Sequence, residues 1–397
     1  MAGGIQERVF IAGAGPVGLA AAASLVRAGV PVTVFEAGAE LSAESRASTF
    51  HPPTLDMLGE LGAAAPLIAQ GLVAPQFQFR SRAHGVMGQF DFGTIADATA
   101  HPYRVQCEQS KLTRILLDRL HGEENFRIEF GCRVAGLTQD VAGVHVTLER
   151  GGRSETQSAR WLIGADGASS RVRGALGIAF DGFTWPERFL VVSTPFDFHA
   201  VIDDLVSVTY VADPQRWHFL LQIPDLWRVM FPVRADESDE TALSPAFAQS
   251  LMAAVVPGIG PYEIAHTTLY KVHQRVAQTF RRGRVFLIGD AAHINNPLGG
   301  MGMNGGIHDA MNLTGRLAGV WHGKAADAEL DRFDRQRRLV TLEAIETQSI
   351  QNKRNLESPG SEFRDSLAHI AADPARTRDY LLRVSMIASL RRAESLG

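Results

Sequence analysis

Three glycines, Gly13, Gly15 and Gly18, separate a short apolar run from an alanine-rich stretch, as in turns that bind a nucleotide. Gly13 would permit the tight bend, Gly15 would let a pyrophosphate approach the backbone, and Gly18 would let helix and strand pack closely. The N-terminus of the following helix would direct its partial positive charge at the phosphates. Glu36 follows the next apolar run and could accept hydrogen bonds from a ribose. These residues predict a site for the adenosine diphosphate part of NAD or FAD, without choosing between the two.

Two aspartates also stand where apolar runs end. Asp166 precedes a glycine, and Asp290 follows Gly289. An aspartate at the end of a strand can bind a polyol hydroxyl, although Asp166 could equally satisfy the N–H groups of its own turn. After Asp290, a glycine-rich loop leads through Gly300 and Gly302 into a helix whose first N–H groups could bind an anion.

The letters around Gly300 and Gly302 match a second dinucleotide fingerprint, which a two-cofactor reductase would carry. The stretch from Ala291 to Gly300 separates this motif from the strand end at Asp290, and no acid ends a later strand. We therefore predict a single dinucleotide fingerprint in the chain.

Local patterns indicate the elements that must position these residues. β-Branched and aromatic runs predict strands, and the alanine-rich stretch ended by Gly29 predicts a helix. The N-terminal unit is predicted as a strand over 8–12, a helix over 17–28 and a strand over 32–35. A hairpin is predicted from 144–148 and 153–159, and an antiparallel sheet from 189–194, 205–211, 217–223 and 227–233.

Composition excludes several classes of protein. The chain has 397 residues and a net charge of −4, so it offers no basic excess and no nucleic-acid partner is predicted. The apolar stretch 11–26 contains glycines and a proline, which predicts a strand, a turn and a helix rather than a membrane span. Cys107 and Cys132 stand in no metal-ligand spacing, so we predict no metal site and a cytoplasmic location.

The glycine turn with Glu36, Asp166 with its glycine, and the Gly289-Asp290 pair together resemble one family. It is the single-component FAD-dependent aromatic hydroxylases, the para-hydroxybenzoate-hydroxylase-like or group A flavin monooxygenases. The motifs follow in the family's order over residues 8 to about 345. The resemblance implies an α/β fold with a discontinuous Rossmann-like FAD-binding domain, a mainly antiparallel β-sheet substrate domain and C-terminal helices.

The resemblance also implies which residues contact FAD. Their roles would be to hold the pyrophosphate, the adenosine ribose, the ribityl chain and the pyrimidine edge of the flavin. These residues are Gly13, Gly15, Pro16, Val17, Gly18, Glu36, Ala37, Arg46, Gln109, Asp166, Gly289, Asp290, Gly300, Gly302, Met303 and Asn304. Asp166 resembles a residue linked in the family to both FAD and NAD(P)H.

Substrate-pocket residues are harder to predict. Pro297 resembles a proline that shapes the pocket beside the reacting flavin edge. Asn296 stands where many relatives carry a second proline, which puts the substrate preference in doubt. His218, Met230 and Phe231 could line an aromatic pocket, but ordinary sheet packing explains them as well.

The resemblance implies the following domain organisation. The FAD-binding domain would comprise 1–71, 103–178 and 276–345, the substrate domain 72–102 and 179–275, and a C-terminal segment 346–397. That segment reads as two or three helices broken at Pro359-Gly360 and Pro374, which could cover the substrate domain or mediate dimer contacts.

The implied activity is hydroxylation of an electron-rich ring, such as a phenol or a hydroxypyridine-type acid. FAD would be the cofactor, NADH or NADPH the electron donor and O2 the oxygen donor, and the reaction would pass through a flavin C4a-hydroperoxide. An epoxidising, Baeyer–Villiger or antibiotic-tailoring monooxygenase on the same fold is the first alternative. A flavin protein without turnover and an NAD-only dehydrogenase are the others, the last leaving two motifs unexplained. The catalytic base, the choice of NADH or NADPH, and a monomeric or homodimeric state stay open.

Overall fold

The computed structural model describes residues 5–43, 47–357 and 361–396. The strands in chain order are β1 (Gln6–Ala12), β2 (Val32–Phe35), β3 (Thr49–Phe50), β4 (Leu72–Ala74), β5 (Gln76–Ser81), β6 (Gly85–Asp91), β7 (Arg104–Gln106), β8 (Phe126–Glu129), β9 (Arg133–Gln139), β10 (Val144–Arg150), β11 (Arg153–Gly164), β12 (Phe180–Thr194), β13 (Val208–Ala212), β14 (His218–Gln222), β15 (Trp227–Val233), β16 (His266–Ala277), β17 (Arg281–Arg282), β18 (Val285–Leu287) and β19 (His293–Ile294). The helices are α1 (Pro16–Arg27), α2 (Pro52–Glu60), α3 (Ala64–Ala69), α4 (Gln109–Leu120), α5 (Arg171–Ala175), α6 (Asp239–Ala242), α7 (Pro245–Val255), α8 (Met301–Trp321), α9 (Glu329–Val340), α10 (Thr347–Glu357), α11 (Ser361–Ala371), α12 (Pro374–Val384) and α13 (Ile387–Glu394).

The first sheet has a parallel core in the order β18-β11-β1-β2-β8. Residues Val9 to Ala12 of β1 are almost completely buried, as expected for a central strand of a parallel sheet. Helix α1 follows β1 and packs against α4 and α8. The strand, helix and strand predicted near the N-terminus are therefore present, with ends shifted by one or two residues.

Strand β11 has two different partners along its length. Its first half pairs antiparallel with β10, from Arg153 to Ala159, and its second half pairs parallel with β1, up to Gly164. The second strand of the predicted hairpin and the apolar run after it are thus one continuous strand, β11, which connects a small antiparallel meander to the parallel core.

The second sheet has the order β19-β16-β12-β15-β14-β13-β5-β6 and is antiparallel except for the pairing of β13 with β5. Its two faces belong to different apolar clusters. One cluster contains Phe189, Tyr210 and Met230 together with side chains of the C-terminal helices, and the other contains Phe231 and residues of α7. The predicted α/β class, with a parallel sheet and a mainly antiparallel one, is confirmed.

Three short strands, in the order β3-β7-β4, form a third sheet. Strand β4 lies in the insertion predicted for the substrate domain, yet it pairs with β7, whereas β5 and β6 of the same insertion extend the second sheet. The predicted domain limits stay a prediction.

The C-terminal segment contains four helices in its described part, α10 to α13, rather than the two or three predicted. Pro374 begins α12 instead of only breaking a helix, because proline fits the first helical position. Pro359 and Gly360 lie outside the described residues. Helix α11 packs on β6, α12 on the turn Phe92–Ile95, and α13 on α9, so the segment covers an edge of the second sheet. No helix of the described ranges is long and apolar enough to cross a membrane.

Close packing of α1 on α8 can be tested with a single methyl group. A Cβ on Gly306 would lie 2.6 Å from a methyl of Val17 and 2.9 Å from Gly289 Cα. We expect Gly306→Ala to lower the free energy of unfolding by about 1–3 kcal/mol through overpacking, as measured by denaturant unfolding.

Gly315→Ala is the matched control on the same helix, because a Cβ there meets nothing within 4 Å. This variant should be neutral or more stable by up to about 1 kcal/mol, since alanine favours helix over glycine. Equal stability of the two variants would contradict the importance of this contact.

Candidate active site

The three sequence motifs meet at one edge of the parallel sheet, where its strands end. The N–H of Gly13 donates to the carbonyl of Phe35 (2.8 Å), and the N–H of Ala165 donates to the carbonyl of Ala12 (2.8 Å). The N–H of Ile288 donates to the carbonyl of Gly164 (3.0 Å), which places the Gly289-Asp290 turn beside the other two motifs. Ligands of open α/β sheets bind at this carboxyl edge.

Each glycine of the first turn has a different surrounding. Gly13 has φ +101°, and a Cβ on it would lie 2.4 Å from the carbonyl oxygen of Ala165. A Cβ on Gly18 would lie 2.1 Å from the carbonyl oxygen of Gly13, so both positions exclude a side chain. A Cβ on Gly15, in contrast, would meet nothing within 4 Å. The protein itself does not require glycine there, and the open space beside this backbone fits a pyrophosphate.

The N-terminus of α1 opens onto the same space. No side chain caps the helix at Gly15, and Pro16 is its first residue. Leu19 is the first residue whose N–H bonds back to the preceding turn, at 3.0 Å from the carbonyl oxygen of Gly15. The backbone of Val17 and Gly18 therefore presents the positive end of α1 to an anion.

Glu36 is fixed beside this turn by two hydrogen bonds. Its Oε2 accepts from the N–H of Ala14 (2.8 Å), and its Oε1 accepts from the N–H of Gly38 (2.7 Å). Next to it, Ala37 lines an open cleft of about 400 Å³ whose walls include Arg133 and Arg150. The carboxylate is thus held at the strand end, next to a cleft that can admit a nucleoside.

Asp166 uses its carboxylate within its own turn. It accepts hydrogen bonds from the hydroxyl of Ser170 (2.6 Å) and from the N–H groups of Arg171 (2.7 Å) and Val172 (3.1 Å), at the start of α5. The guanidinium of Arg173 then donates to the carbonyl of Ala291 at 2.8 Å. The second motif is in this way tied to the third, and a contact of Asp166 with a cofactor stays a prediction.

The Gly289-Asp290 turn rests on a buried carboxylate that the sequence patterns did not reveal. Asp309 of α8 accepts from the N–H of Gly289 (3.1 Å), from His293 Nε2 (2.7 Å) and from Arg337 Nε (2.7 Å). Burial acts to raise the pKa of Asp309, but the charges and hydrogen bonds of His293 and Arg337 outweigh it, so the pKa is lowered. Asp290 itself is exposed at this edge.

At the N-terminus of α8 the backbone, rather than the asparagine side chain, can face a ligand. Asn304 is fully buried, and its Oδ1 accepts from the N–H of His51 (2.9 Å). Its amide group donates to the carbonyls of Thr49 (2.8 Å) and Gly300 (2.6 Å). Gly300 caps the helix with φ +67°, and no side chain occupies the cap. Gly302 and Met303 lie in the first turn and can present their N–H groups.

The loop before α8 is held in place by Asn296. Its side-chain amide donates to the carbonyl of Ser349 (2.8 Å), and its N–H donates to Gln274 Oε1 (3.2 Å). Pro297 follows, and its carbonyl accepts the N–H of Gly300 at 2.9 Å. Two hydrogen bonds thus fix the loop that presents Pro297.

Of the two remaining predicted cofactor residues, Gln109 and Arg46, the structure describes only Gln109. Gln109 begins α4, and its N–H donates to the carbonyl of Ala47 at 3.1 Å, next to the residues between 43 and 47. Arg46 falls outside the described residues. The side chain of Gln109 stays a predicted contact.

The three predicted substrate residues do not share one pocket. Met230 lies in the apolar cluster with Phe189, whereas Phe231, the next residue on β15, lies in the cluster on the other face of the sheet. His218 contacts Phe231, with ring centroids 5.8 Å apart, and burial lowers its pKa to about 4. Because neighbouring residues on a strand point to opposite faces, the sheet separates His218 and Phe231 from Met230.

The glycine turn, the glutamate at the strand end and the uncapped N-terminus of α1 together form a site for the adenosine diphosphate part of a dinucleotide. A family model described as an FAD binding domain matches residues 6–348, and the chain belongs to this family. Its relatives place it in the para-hydroxybenzoate-hydroxylase-like group, so the recognition, the FAD cofactor and the monooxygenase class predicted from the sequence are confirmed.

Two relatives match the chain over nearly its whole length. It is 33% identical over 385 residues to a para-nitrophenol 4-monooxygenase from Pseudomonas sp. (strain WBC-3), covering 95% of this chain and 94% of that protein. It is 34% identical over 388 residues to the 6-hydroxy-3-succinoylpyridine 3-monooxygenase HspB from Pseudomonas putida (strain DSM 28022 / S16), covering 95% and 97%. The crystal structure of the p-nitrophenol 4-monooxygenase PnpA from Pseudomonas putida DLL-E4 superposes with a TM-score of 0.91 at 30% identity, covering 98% of this chain and 99% of that one.

Replacing Asp309 tests how strongly the site depends on the buried charge. We expect Asp309→Asn to lower the free energy of unfolding by about 3–5 kcal/mol, because Arg337 is left buried without its counter-charge. Denaturant unfolding of the FAD-free protein measures the effect. The control is Asp331→Asn. The carboxylate of Asp331 forms an ion pair with Arg281 but is 58% exposed, so this substitution should change the free energy of unfolding by less than about 1 kcal/mol.

The same carboxylate predicts the acid sensitivity of the fold. Since the folded-state pKa of Asp309 is lower than its ordinary value of 3.8, the ionised form stabilises the fold at neutral pH. This stabilisation is lost as the pH falls below 3.8 towards the folded-state pKa. Asp309→Asn should therefore lose the part of the acid-side decline in stability that Asp309 contributes, and an unchanged pH profile would contradict this assignment.

Proposed function

We propose that this chain hydroxylates a phenol or hydroxypyridine ring, with FAD as its cofactor, NADH or NADPH as electron donor and O2 as oxygen donor. The loop before α8 carries the observation that most supports it. Leu298, fully buried, packs in the same apolar cluster as Phe189, Tyr210 and Met230. The helix N-terminus assigned to the flavin therefore adjoins the aromatic face of the second sheet, where a planar substrate can lie beside it.

The described residues fit FAD at each part of the molecule. The pyrophosphate would occupy the open space at Gly15, below the N-terminus of α1. Glu36 would bind the adenosine ribose beside the cleft at Ala37, and Asp290 the ribityl chain. The flavin pyrimidine edge would meet the backbone of Gly302 and Met303, whereas Asn304 contributes by holding that turn in place.

Bound FAD would supply the redox chemistry: reduced by NAD(P)H, it would insert one oxygen atom of O2 into the ring, with water as the second product. The protein would position the substrate beside the flavin and protect the reacting edge from water. The positive end of α8 favours negative charge on a group at its N-terminus. Apolar side chains such as Leu298 and Met230 would keep water from the reacting edge.

The substrate class rests on the two relatives and on the chemistry of oxygen insertion. The names of both relatives describe a hydroxylated ring bearing an electron-withdrawing group. Epoxidation, Baeyer–Villiger oxidation and antibiotic tailoring on this fold remain the alternative. NADH or NADPH, a monomer or homodimer, and a cytoplasmic location stay predictions, the last supported by two unpaired cysteines, Cys107 and Cys132.

The assignment of the pyrophosphate to Gly15 can be tested without disturbing the fold. A methyl group on Gly15 would meet no protein atom, but it would enter the space given to the phosphates. We expect Gly15→Ala to weaken FAD binding by about tenfold or more, measured by titrating FAD-free protein with FAD.

Gly174→Ala is the control, because a Cβ on that exposed glycine also meets nothing within 4 Å and it lies outside the proposed FAD contacts. Both variants should fold, and Gly15→Ala should lower the stability of the FAD-free protein by about 1 kcal/mol or less, because alanine is a poorer N-cap than glycine. Unchanged FAD affinity of Gly15→Ala would contradict the assignment.

The proposed reaction predicts that a hydroxylated ring accelerates oxidation of NADH or NADPH by the FAD-loaded protein. The measurement compares para-nitrophenol and hydroxypyridine acids in the presence of oxygen-18-labelled O2. Ring products with one labelled oxygen support hydroxylation. Labelled epoxides or lactones would favour the tailoring alternative, and NAD(P)H oxidation that no ring compound accelerates would contradict the proposal.

A further inference from the structure

Three polar side chains share one face of the small third sheet. Thr49 pairs with Gln106 and Phe50 with Val105, so the next residue, His51, comes opposite Arg104. Because side chains alternate along a strand, His51, Arg104 and Gln106 lie on one face and Phe50 and Val105 on the other. We call His51, Arg104 and Gln106 the β3–β7 polar cluster.

Every member of the cluster is buried and retains an unused polar atom. The exposed fractions of His51, Arg104 and Gln106 are 0%, 2% and 0%. His51 Nδ1, Arg104 Nε and Gln106 Nε2 have no hydrogen-bond partner among the described residues. A buried donor or acceptor left without a partner costs roughly 1–3 kcal/mol, so three in one place are unusual for packing alone.

The charge of the cluster is not balanced by the described part of the protein. Apart from burial, the groups that act on the pKa of Arg104 are the hydroxyls of Tyr210 and Tyr380. Its guanidinium lies 4.8 Å from the ring centre of Phe77 and 5.2 Å from that of Phe92. Burial lowers the pKa of Arg104, but an arginine starts from so high a value that it stays charged.

His51 is neutral in this environment. Its Nε2 lies 2.7 Å from the carbonyl oxygen of Gly299, so Nε2 carries the proton and Nδ1 is left as an acceptor. Burial lowers the pKa of His51 well below its ordinary value, and the charge of Arg104 lowers it further. The other histidine that acts on it, His308, has a pKa lowered to about 3 by burial and is neutral too.

The cluster contacts both the loop assigned to the flavin edge and the aromatic cluster of the second sheet. Phe50 and Val105 belong to the core of the parallel sheet, whereas Arg104 extends over rings of the second sheet's aromatic cluster. His51 bonds to Gly299, in the loop assigned to the flavin edge. The unused atoms are thus placed between the flavin side and the aromatic face.

We propose that His51, Arg104 and Gln106 bind the ring oxygen of the hydroxylated substrate and favour its ionised form. Arg104 and Gln106 donate hydrogen bonds to the oxygen, and the guanidinium supplies the counter-charge. His51 Nδ1 accepts the hydroxyl hydrogen while the oxygen is still protonated. This inference rests on the proposed function, and it assigns substrate selection to these three residues, because an ionised oxygen makes the ring electron-rich.

The test uses the colour of para-nitrophenol, whose ionised form is yellow, bound to the oxidised FAD-loaded protein without NAD(P)H. The pH dependence of the colour gives the pKa of the bound ligand without any turnover. In wild type we expect that pKa to be lower than in free solution by about one to three pH units, because a positive charge adjoins the oxygen. Arg104→Gln should raise the pKa of the bound para-nitrophenol by at least about one unit, which is a tenfold change in its ionisation equilibrium.

Three comparisons make the result specific. Arg104→Lys keeps the charge and should keep most of the lowering. Gln106→Leu removes a neutral donor and should give a smaller loss, and it serves as the test if Arg104→Gln does not fold. The methyl ether 4-nitroanisole cannot ionise, so its affinity should be similar in wild type and Arg104→Gln.

Failure of this inference differs from failure of the proposed function. A wild-type protein that binds FAD but does not bind para-nitrophenol, or binds it without lowering its pKa, would overturn the inference. An equal pKa in wild type and both uncharged variants would do the same. A protein that takes up no FAD would instead contradict the proposed function, and the nitrophenol titration can still be read on it.

Discussion

The hydrogen bonds and the ion pair of the Asp309 carboxylate fix the arrangement of the elements around the proposed site. The carboxylate joins the turn at Gly289 to His293 and to Arg337, and so holds a strand end, the following loop and two helices in one arrangement. The pair with Arg337 is fully desolvated, and removing one partner of such a pair leaves an uncompensated charge. Since α8 is positioned by this network at one point and by its contact with Val17 at another, the two helix N-termini keep a fixed relation.

The site arises from backbone more than from side chains. Open space adjoins the backbone of Gly15, and the side chain of Asn304 holds the turn in which Gly302 lies, so the proposed FAD contacts of both glycines use the backbone. Asn296 has the same kind of role, because its hydrogen bonds to Ser349 and Gln274 fix the loop before α8. A cofactor bound through backbone groups depends less on the identity of the side chains around it.

Local patterns were enough to predict the glycine turn and the first strand, helix and strand, whereas the α/β class was implied by the family resemblance. The physical reason is that a βαβ unit bonds mainly to itself, so its signals lie close together in sequence. The pairing of β13 with β5, the Asp309 network and the β3–β7 polar cluster join residues far apart in the chain, and no local signal marks them. Met230 and Phe231, in contrast, are neighbours in a predicted strand, so alternation along the strand already places their side chains on opposite faces of the sheet.

The buried guanidinium of Arg104 has a different energetic meaning from that of Arg337. Arg337 pairs with a carboxylate of the protein, and its charge is balanced in the folded state without a ligand. Arg104 is surrounded by the rings of Phe77 and Phe92 and by tyrosine hydroxyls, which stabilise a cation only in part. A fold that holds such a charge bears a cost in stability, and an anionic ligand offsets that cost only when it binds. The same residue therefore lowers the stability of the free protein and raises its affinity for an ionised ring.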